Sequence, residues 1–134
     1  MSDRYQSFAE FWPYYVREHQ NKRTRKLHFI GTGLALGLAA TGLVTGRGLL
    51  LALAPVAGYG PAWFSHFRIE KNRPATFKYP LYSLAADFVM FNKMLRGTMD
   101  AEVERVLALD ADLDAAPVDE EPIVTNMATD GTLH

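Results

Sequence analysis

The chain has no cysteine. That excludes disulfides, iron–sulfur clusters and thiolate zinc sites, so any metal must be held by imidazole, carboxylate or amide groups. Histidine is scarce, with four in 134 residues, and one of these, His134, simply ends the chain. Acid is scarce through most of the sequence: Met1 to Gly97 carries 13 Lys and Arg against 5 Asp and Glu, a net of +8. The balance then reverses. From Thr98 to His134 one Arg faces 10 acids, a net of −9. The near-neutral total therefore hides a basic body, 1–97, and an acidic tail, 98–134. A single domain is what this length allows. The opening MSDRYQSFAEFW lacks a basic stretch followed by a short apolar core and a small-residue cleavage site, so no cleavable leader is expected. No nucleic-acid partner is expected either.

Charge is missing altogether from two neighbouring runs, Phe29 to Gly46 with 18 residues and Gly48 to Phe67 with 20. A membrane-crossing helix needs roughly 20 apolar residues, with a lower limit of about 17. Both runs meet it, and the short TGRG turn between them predicts an antiparallel hairpin. A pair of buried helices in a soluble bundle is the plainer alternative. Two such long uncharged neighbours are unusual in one small soluble domain, so the expected fold is all-α, an integral membrane hairpin of two spans. Gly33 with Gly37, and Gly42 with Gly46, have the small-xxx-small spacing that lets helices approach in lipid, and they would serve a homo-oligomer as well as the hairpin. Pro55, Gly58, Gly60 and Pro61 predict a kinked second helix. Lys22, Arg23, Arg25 and Lys26 precede the first span, and Arg68, Lys71, Arg73 and Lys78 follow the second. The positive-inside rule then places both chain ends in the cytoplasm and Arg47 outside.

Three shorter segments flank the hairpin. SFAEFWPYYVREH predicts a helix with capping-box spacing between Ser7 and Glu10. Its aromatic face, Phe8, Phe11, Trp12, Tyr15 and Val16, is expected at the lipid headgroup level, where Trp and Tyr are favoured. YPLYSLAADFVMFNKMLRG opens on Pro80 near a helix start and stops at Gly97; its uncharged part is too short to span, which predicts an interfacial or re-entrant helix. AEVERVLALD extends a helix for two turns, and the acidic remainder is expected to be disordered.

The chemistry gathers at one edge of the hairpin. His28 precedes the first span and His66 closes the second, so an antiparallel hairpin returns both to the same surface. His19 lies nine residues before His28 and belongs to that surface too. Glu70 follows His66 by four residues and shares its face if the helix continues. Asp87 stands alone among apolar residues, a costly placement that points to function unless a basic flank pairs with it. Imidazoles with a carboxylate suit non-haem iron(II), zinc could take similar ligands, and His28 with His66 could hold a b-type haem.

Two stretches, FAEFWPYYVREHQNKRTRKLHFIGT and GYGPAWFSHFRIEKNRPATFKYPLYSLAADFVMF, resemble a small family of membrane proteins (Mpo-like) long catalogued as a domain of unknown function. Its fungal member is a 2-hydroxy fatty acid dioxygenase. The resemblance runs from about Tyr5 to Gly97 and rests on two blocks, H-x8-H-x2-G from His19 and H-x3-E-x-N-R-P-A from His66. It implies α-oxidation dependent on Fe2+ and O2, in which a 2-hydroxy fatty acid loses its carboxyl carbon as CO2. The ligands it implies are His19, His28 and His66, with Glu70 as a fourth ligand or an orienting partner. Arg68, Arg73 or Lys78 would hold the substrate carboxylate, with Asn72 and Asp87 as further substrate contacts. This chain resembles the compact bacterial-type members, which implies a bacterial inner membrane. A small membrane scaffold or lipid-binding protein, and a bis-histidine haem carrier, are the competing functions.

Overall fold

A computed structural model describes residues 4–116, and these form helices with no strand among them. Helix α1 spans Phe8–Arg17, α2 Lys22–Thr45, α3 Gly48–Ser65, α4 Pro80–Leu95 and α5 Met99–Ala115. A π-helical turn, His66–Glu70, extends α3, and a 3-10 turn, Ala75–Phe77, leads into α4.

The hairpin of α2 and α3 dominates the molecule. Gly46 ends α2 in the left-handed conformation at φ 67°, where its N–H reaches the Gly42 carbonyl. A glycine there carries no Cβ penalty, so the chain reverses within two residues. The two helices cross closely at Gly31, where an added Cβ would lie 2.8 Å from the Gly58 carbonyl oxygen. A second close approach occurs at Gly42, against Leu51 and the Arg47 carbonyl. Of the glycine pairs read in sequence, Gly42 serves the hairpin itself, Gly33 meets the Phe91 ring, and Gly37 faces open space.

Both helices of the hairpin are long and apolar enough to cross a membrane, and only 17% of each apolar window is buried within the protein. Leu34, Leu43, Val44, Leu49, Val56 and Phe64 point outward. An exposed apolar surface of this extent is costly in water and free of cost in hydrocarbon, which marks the chain as membrane-associated. Helix α2 starts at Lys22, well before the uncharged run, so the basic residues form its first turns.

The polar end of the hairpin carries a second packing unit built from α1, α4 and α5. Ser7 caps α1 by accepting the Glu10 N–H, while Glu10 accepts the Gln6 N–H, so the capping box forms with a one-residue offset. The aromatic face expected at the headgroups is instead interior. Phe11, Tyr15 and Val16 are fully buried and Trp12 nearly so, packed against Tyr79, Ala86 and Met90 of the α4 region and Met99, Val103 and Val106 of α5. Amphipathic spacing alone does not distinguish a lipid-facing stripe from a protein-facing one.

Helix α5 is longer than expected, 17 residues rather than two turns, and Ala111 to Ala115, expected to be disordered, are helical. It gains its stability from α1: the Trp12 indole donates to Glu102 at 2.7 Å, and Arg17 pairs with Asp110 at 3.2 Å. The rest of the acidic tail, 117–134, lies outside the described residues. Gly97, at φ 70°, ends α4, with the Thr98 N–H returning to the Lys93 carbonyl.

Candidate metal centre

Each imidazole of the body is placed by a different element. His19 sits in the turn after α1, His28 in the second turn of α2, and His66 where α3 loosens into its π turn. All three are buried, and one nitrogen from each lies within 4.8 Å of the others. The rings meet nearly at right angles, with centroids 4.5 Å apart for His19 with His28, 4.5 Å for His19 with His66 and 5.1 Å for His28 with His66.

The hydrogen bonds on the far side of the rings fix the tautomers. His19 Nδ1 lies 2.6 Å from the Tyr15 carbonyl and His28 Nδ1 2.9 Å from the Thr24 carbonyl. A carbonyl only accepts, so both Nδ1 atoms carry the proton. His66 Nδ1 lies 2.7 Å from Asn72 Oδ1, and Asn72 Nδ2 donates to the Glu18 carbonyl, which fixes the orientation of that amide. His66 Nδ1 therefore donates too. Three Nε2 lone pairs are left, and those of His19 and His28 face each other at 3.1 Å.

Two lone pairs at that distance repel unless a cation lies between them or beside them. Both nitrogens are near enough to bond one ion at roughly 2.0–2.1 Å. Histidine ligands characteristically donate their other N–H to an oxygen, as all three do here. Burial holds His19 well below its usual pKa, and its neighbours His28 and His66 push the same way, so it presents the neutral form that ligates metals. The donor set suits a metal ion, and its all-nitrogen composition does not by itself select iron over zinc.

The supporting frame is built from residues that the sequence presents as ordinary. Arg25, in the basic flank of the first span, is buried; it donates to the carbonyls of His19 and Gln20 and to Asp100 on α5. It thus ties the His19 turn to both α2 and α5. The π turn widens the end of α3 so that the His66 carbonyl accepts the N–H groups of Lys71 and Asn72, with Lys71 at φ 60°. Such turns recur at functional sites because they re-aim side chains that a regular helix would place elsewhere.

Glu70 stands outside the imidazole group. Its Oε1 accepts the Asn21 N–H and so pins the π turn to the start of α2. Asn72 spends both ends of its amide on His66 and Glu18. Arg68, Arg73 and Lys78 are exposed.

A cleft of about 380 Å³ opens beside His28 and runs between α2, α3 and α4. His28, Thr32 and Asp87 make one end polar; Leu36, Ala39, Leu51 and Ala54 carry it onward as an apolar groove. No Lys or Arg lines it. Asp87 accepts a short hydrogen bond from the Tyr15 hydroxyl, and the Tyr15 ring stacks on His19 with centroids 4.0 Å apart. Burial raises the Asp87 carboxyl to about 6, against the opposite pull of the Tyr15 hydroxyl. Tyr15 is the site residue that the sequence does not single out: its place four residues before His19 is its only signal, and it shares the aromatic face of α1.

No curated protein and no solved structure matches the chain. One family model does, described as 2-hydroxy-palmitic acid dioxygenase Mpo1-like, and it covers residues 5–99. That range takes in all three clustered histidines, the π turn and every residue of the cleft, and the chain belongs to this Mpo1-like family.

Proposed function

We propose that the protein is a membrane-embedded dioxygenase that shortens 2-hydroxy fatty acids by one carbon, with Fe2+ held by His19, His28 and His66. The observation that carries this reading is the convergence of three buried imidazoles, one of which, His28, lines the polar end of an apolar cleft. The family's printed description, a 2-hydroxy-palmitic acid dioxygenase, agrees with it.

The cleft suits such a substrate in length. From His28 to Ala39 it follows eleven residues of α2, about 16 Å at 1.5 Å per residue. Half of a hydrocarbon core of roughly 30 Å is the depth of one acyl tail. With its tail along Leu36, Ala39 and Leu51, a fatty acid presents its first carbons to His28 and Asp87. The groove excludes water along the tail, and its exposed flank at Leu84 and Phe88 admits a lipid from the side.

The reaction balances without a further reductant. A 2-hydroxy acid and O2 give the acid one carbon shorter, CO2 and water: the bond between the carboxyl carbon and the 2-carbon breaks, the 2-carbon is oxidised to a carboxyl, and all four electrons go to O2. Iron(II), when bound, supplies the activation of O2. The chain's own groups do the rest. The Tyr15 and Thr24 carbonyls and the Asn72 amide hold the three Nδ1 protons and so keep each Nε2 free. Glu70 acts as an orienting group through Asn21. The exposed cations Arg68, Arg73 and Lys78 draw anionic headgroups to this face.

The basic flanks Lys22 to Lys26 and Arg68 to Lys78 support a cytoplasmic side for both ends of the hairpin, with Arg47 on the other. Since the chain has no cysteine, single cysteines at positions 47 and 71 should label from opposite sides of sealed membranes. The haem alternative fits less well, because the His28 and His66 rings are 5.1 Å apart and both touch His19, which leaves no slot for a planar macrocycle. The deciding experiment is incubation of the iron-loaded protein with 2-hydroxypalmitic acid under oxygen. Pentadecanoic acid and CO2 in equal amounts are expected. A protein that binds the acid and returns it unchanged is a lipid-binding protein.

A further inference from the structure

Asp87 has no ordinary structural explanation. It lies on α4 among Leu84, Phe88 and the small residues of α2 and α3, and it lines the cleft together with His28. The usual reason for a carboxyl in such a place is an ion pair. Among the described residues Asp87 makes none, although cations are plentiful at this end of the molecule. Its one side-chain partner is the Tyr15 hydroxyl, which takes Oδ1. Oδ2 has no partner among the described residues and is not among the atoms sealed from solvent, so it is open to the cleft.

A carboxyl with a free acceptor oxygen and no cation is poorly suited to bind a substrate carboxylate. It is well suited to accept a hydrogen bond from a neutral hydroxyl, which is the group that distinguishes a 2-hydroxy acid from the abundant unsubstituted fatty acids of a membrane. We propose that Asp87 is the specificity-determining residue of this cleft, accepting the substrate's 2-hydroxyl on Oδ2 while Tyr15 holds Oδ1. The proposal deepens the functional reading above and rests on it for the substrate class. Tyr15 is then a positioning residue that couples this contact to the His19 ring on which it stacks. A site built to bond a hydroxyl rejects the analogue that lacks it, because a bound tail shuts the acceptor off from water and leaves it unpaired.

The test compares binding of 2-hydroxypalmitic, 2-fluoropalmitic and palmitic acids to the purified protein, iron-loaded and again after chelator treatment. Fluorine keeps the size of the substituent and removes the donor. The chelated arm separates Asp87 from any contribution of a metal to recognition. In it the wild type should favour the hydroxy acid over the fluoro acid by roughly tenfold to hundredfold, the range of a hydrogen bond to a charged group. Asp87→Leu should bring that ratio near one while leaving palmitic acid binding intact. Asp87→Asn, which keeps an acceptor oxygen, should retain part of the preference. Tyr15→Phe should lower the preference and leave palmitic acid binding unchanged, an outcome that loss of packing alone would not give.

A ratio near one in the chelated wild type overturns the proposal, and so does a wild-type ratio in Asp87→Leu. If the leucine variant does not fold, the wild-type comparison of hydroxy and fluoro acids still decides. Failure here is distinct from failure of the functional reading. A protein that binds iron and shortens the substrate but shows no chelated preference refutes the role of Asp87 alone, whereas a protein without metal or turnover that keeps the preference refutes only the chemistry.

Discussion

His66 Nδ1 and Asn72 Oδ1 lie 2.7 Å apart, joined across the π turn that ends α3. Through its other end, on the Glu18 carbonyl, Asn72 also fixes the segment that carries His19. One amide therefore sets both the tautomer of one imidazole and the position of another. Asn72→Ala should weaken metal binding by roughly 10–100-fold, the usual effect of removing the group behind a histidine ligand. Asn72→Asp keeps the acceptor and should recover most of it. Metal titration of the wild type and the two purified variants checks this, and wild-type affinity in Asn72→Ala would remove Asn72 from the site.

The crossing of α2 and α3 gives the second prediction. A Cβ at Gly31 would sit 2.8 Å from the Gly58 carbonyl oxygen and 3.0 Å from that of Ala57. Both contacts are backbone, so no side chain can turn aside. Gly31→Ala should force the helices apart and destabilise the fold by roughly 1–3 kcal/mol, the cost typical of overpacking. Gly37, with nothing within 4 Å, serves as the control: its alanine variant should leave stability unchanged or raise it by up to about 1 kcal/mol, the gain in helix propensity. Thermal unfolding in detergent, followed by circular dichroism, separates the two.

The third concerns α5. The Arg105 guanidinium, and after it the Trp12 indole, hold the Glu102 carboxyl down to about 2, against 4.5 for the ordinary group. A folded pKa below the unfolded one stabilises the fold above the unfolded value, and that contribution is lost as pH falls through the folded value. Stability should therefore decline between about pH 4.5 and pH 2 as Glu102 takes up its proton. Glu102→Gln should flatten that part of the profile and lower stability at neutral pH. Unchanged melting curves in the variant across this window would show that the Glu102 contacts with Arg105 and Trp12 contribute nothing to stability.

Much of the site was readable because span lengths are readable. Once Phe29 to Gly46 and Gly48 to Phe67 are taken as antiparallel, His28 and His66 must meet at one edge, and His19 follows by proximity. The partners behind the rings were not readable, since two of them are carbonyls of Tyr15 and Thr24, and a carbonyl is present at every position. Arg25 resembled its neighbours Arg23 and Lys26, and only packing against α5 buries it. The aromatics of α1 do not reveal their partner, because Phe11, Trp12 and Tyr15 make the same stripe whether they face headgroups or Val103 and Val106. Those two valines, spaced by three among acids, were a weak apolar signal in a segment whose charge argued for disorder.

The account turns on whether the three imidazoles hold an ion. Elemental analysis of the protein purified under anaerobic conditions, beside His19→Ala, His28→Ala and His66→Ala variants prepared alike, addresses this directly. Close to one iron per chain in the wild type, and loss of most of it in each variant, is the predicted result. A wild type free of metal after incubation with iron(II), or a His28→Ala variant with its full complement, would contradict it.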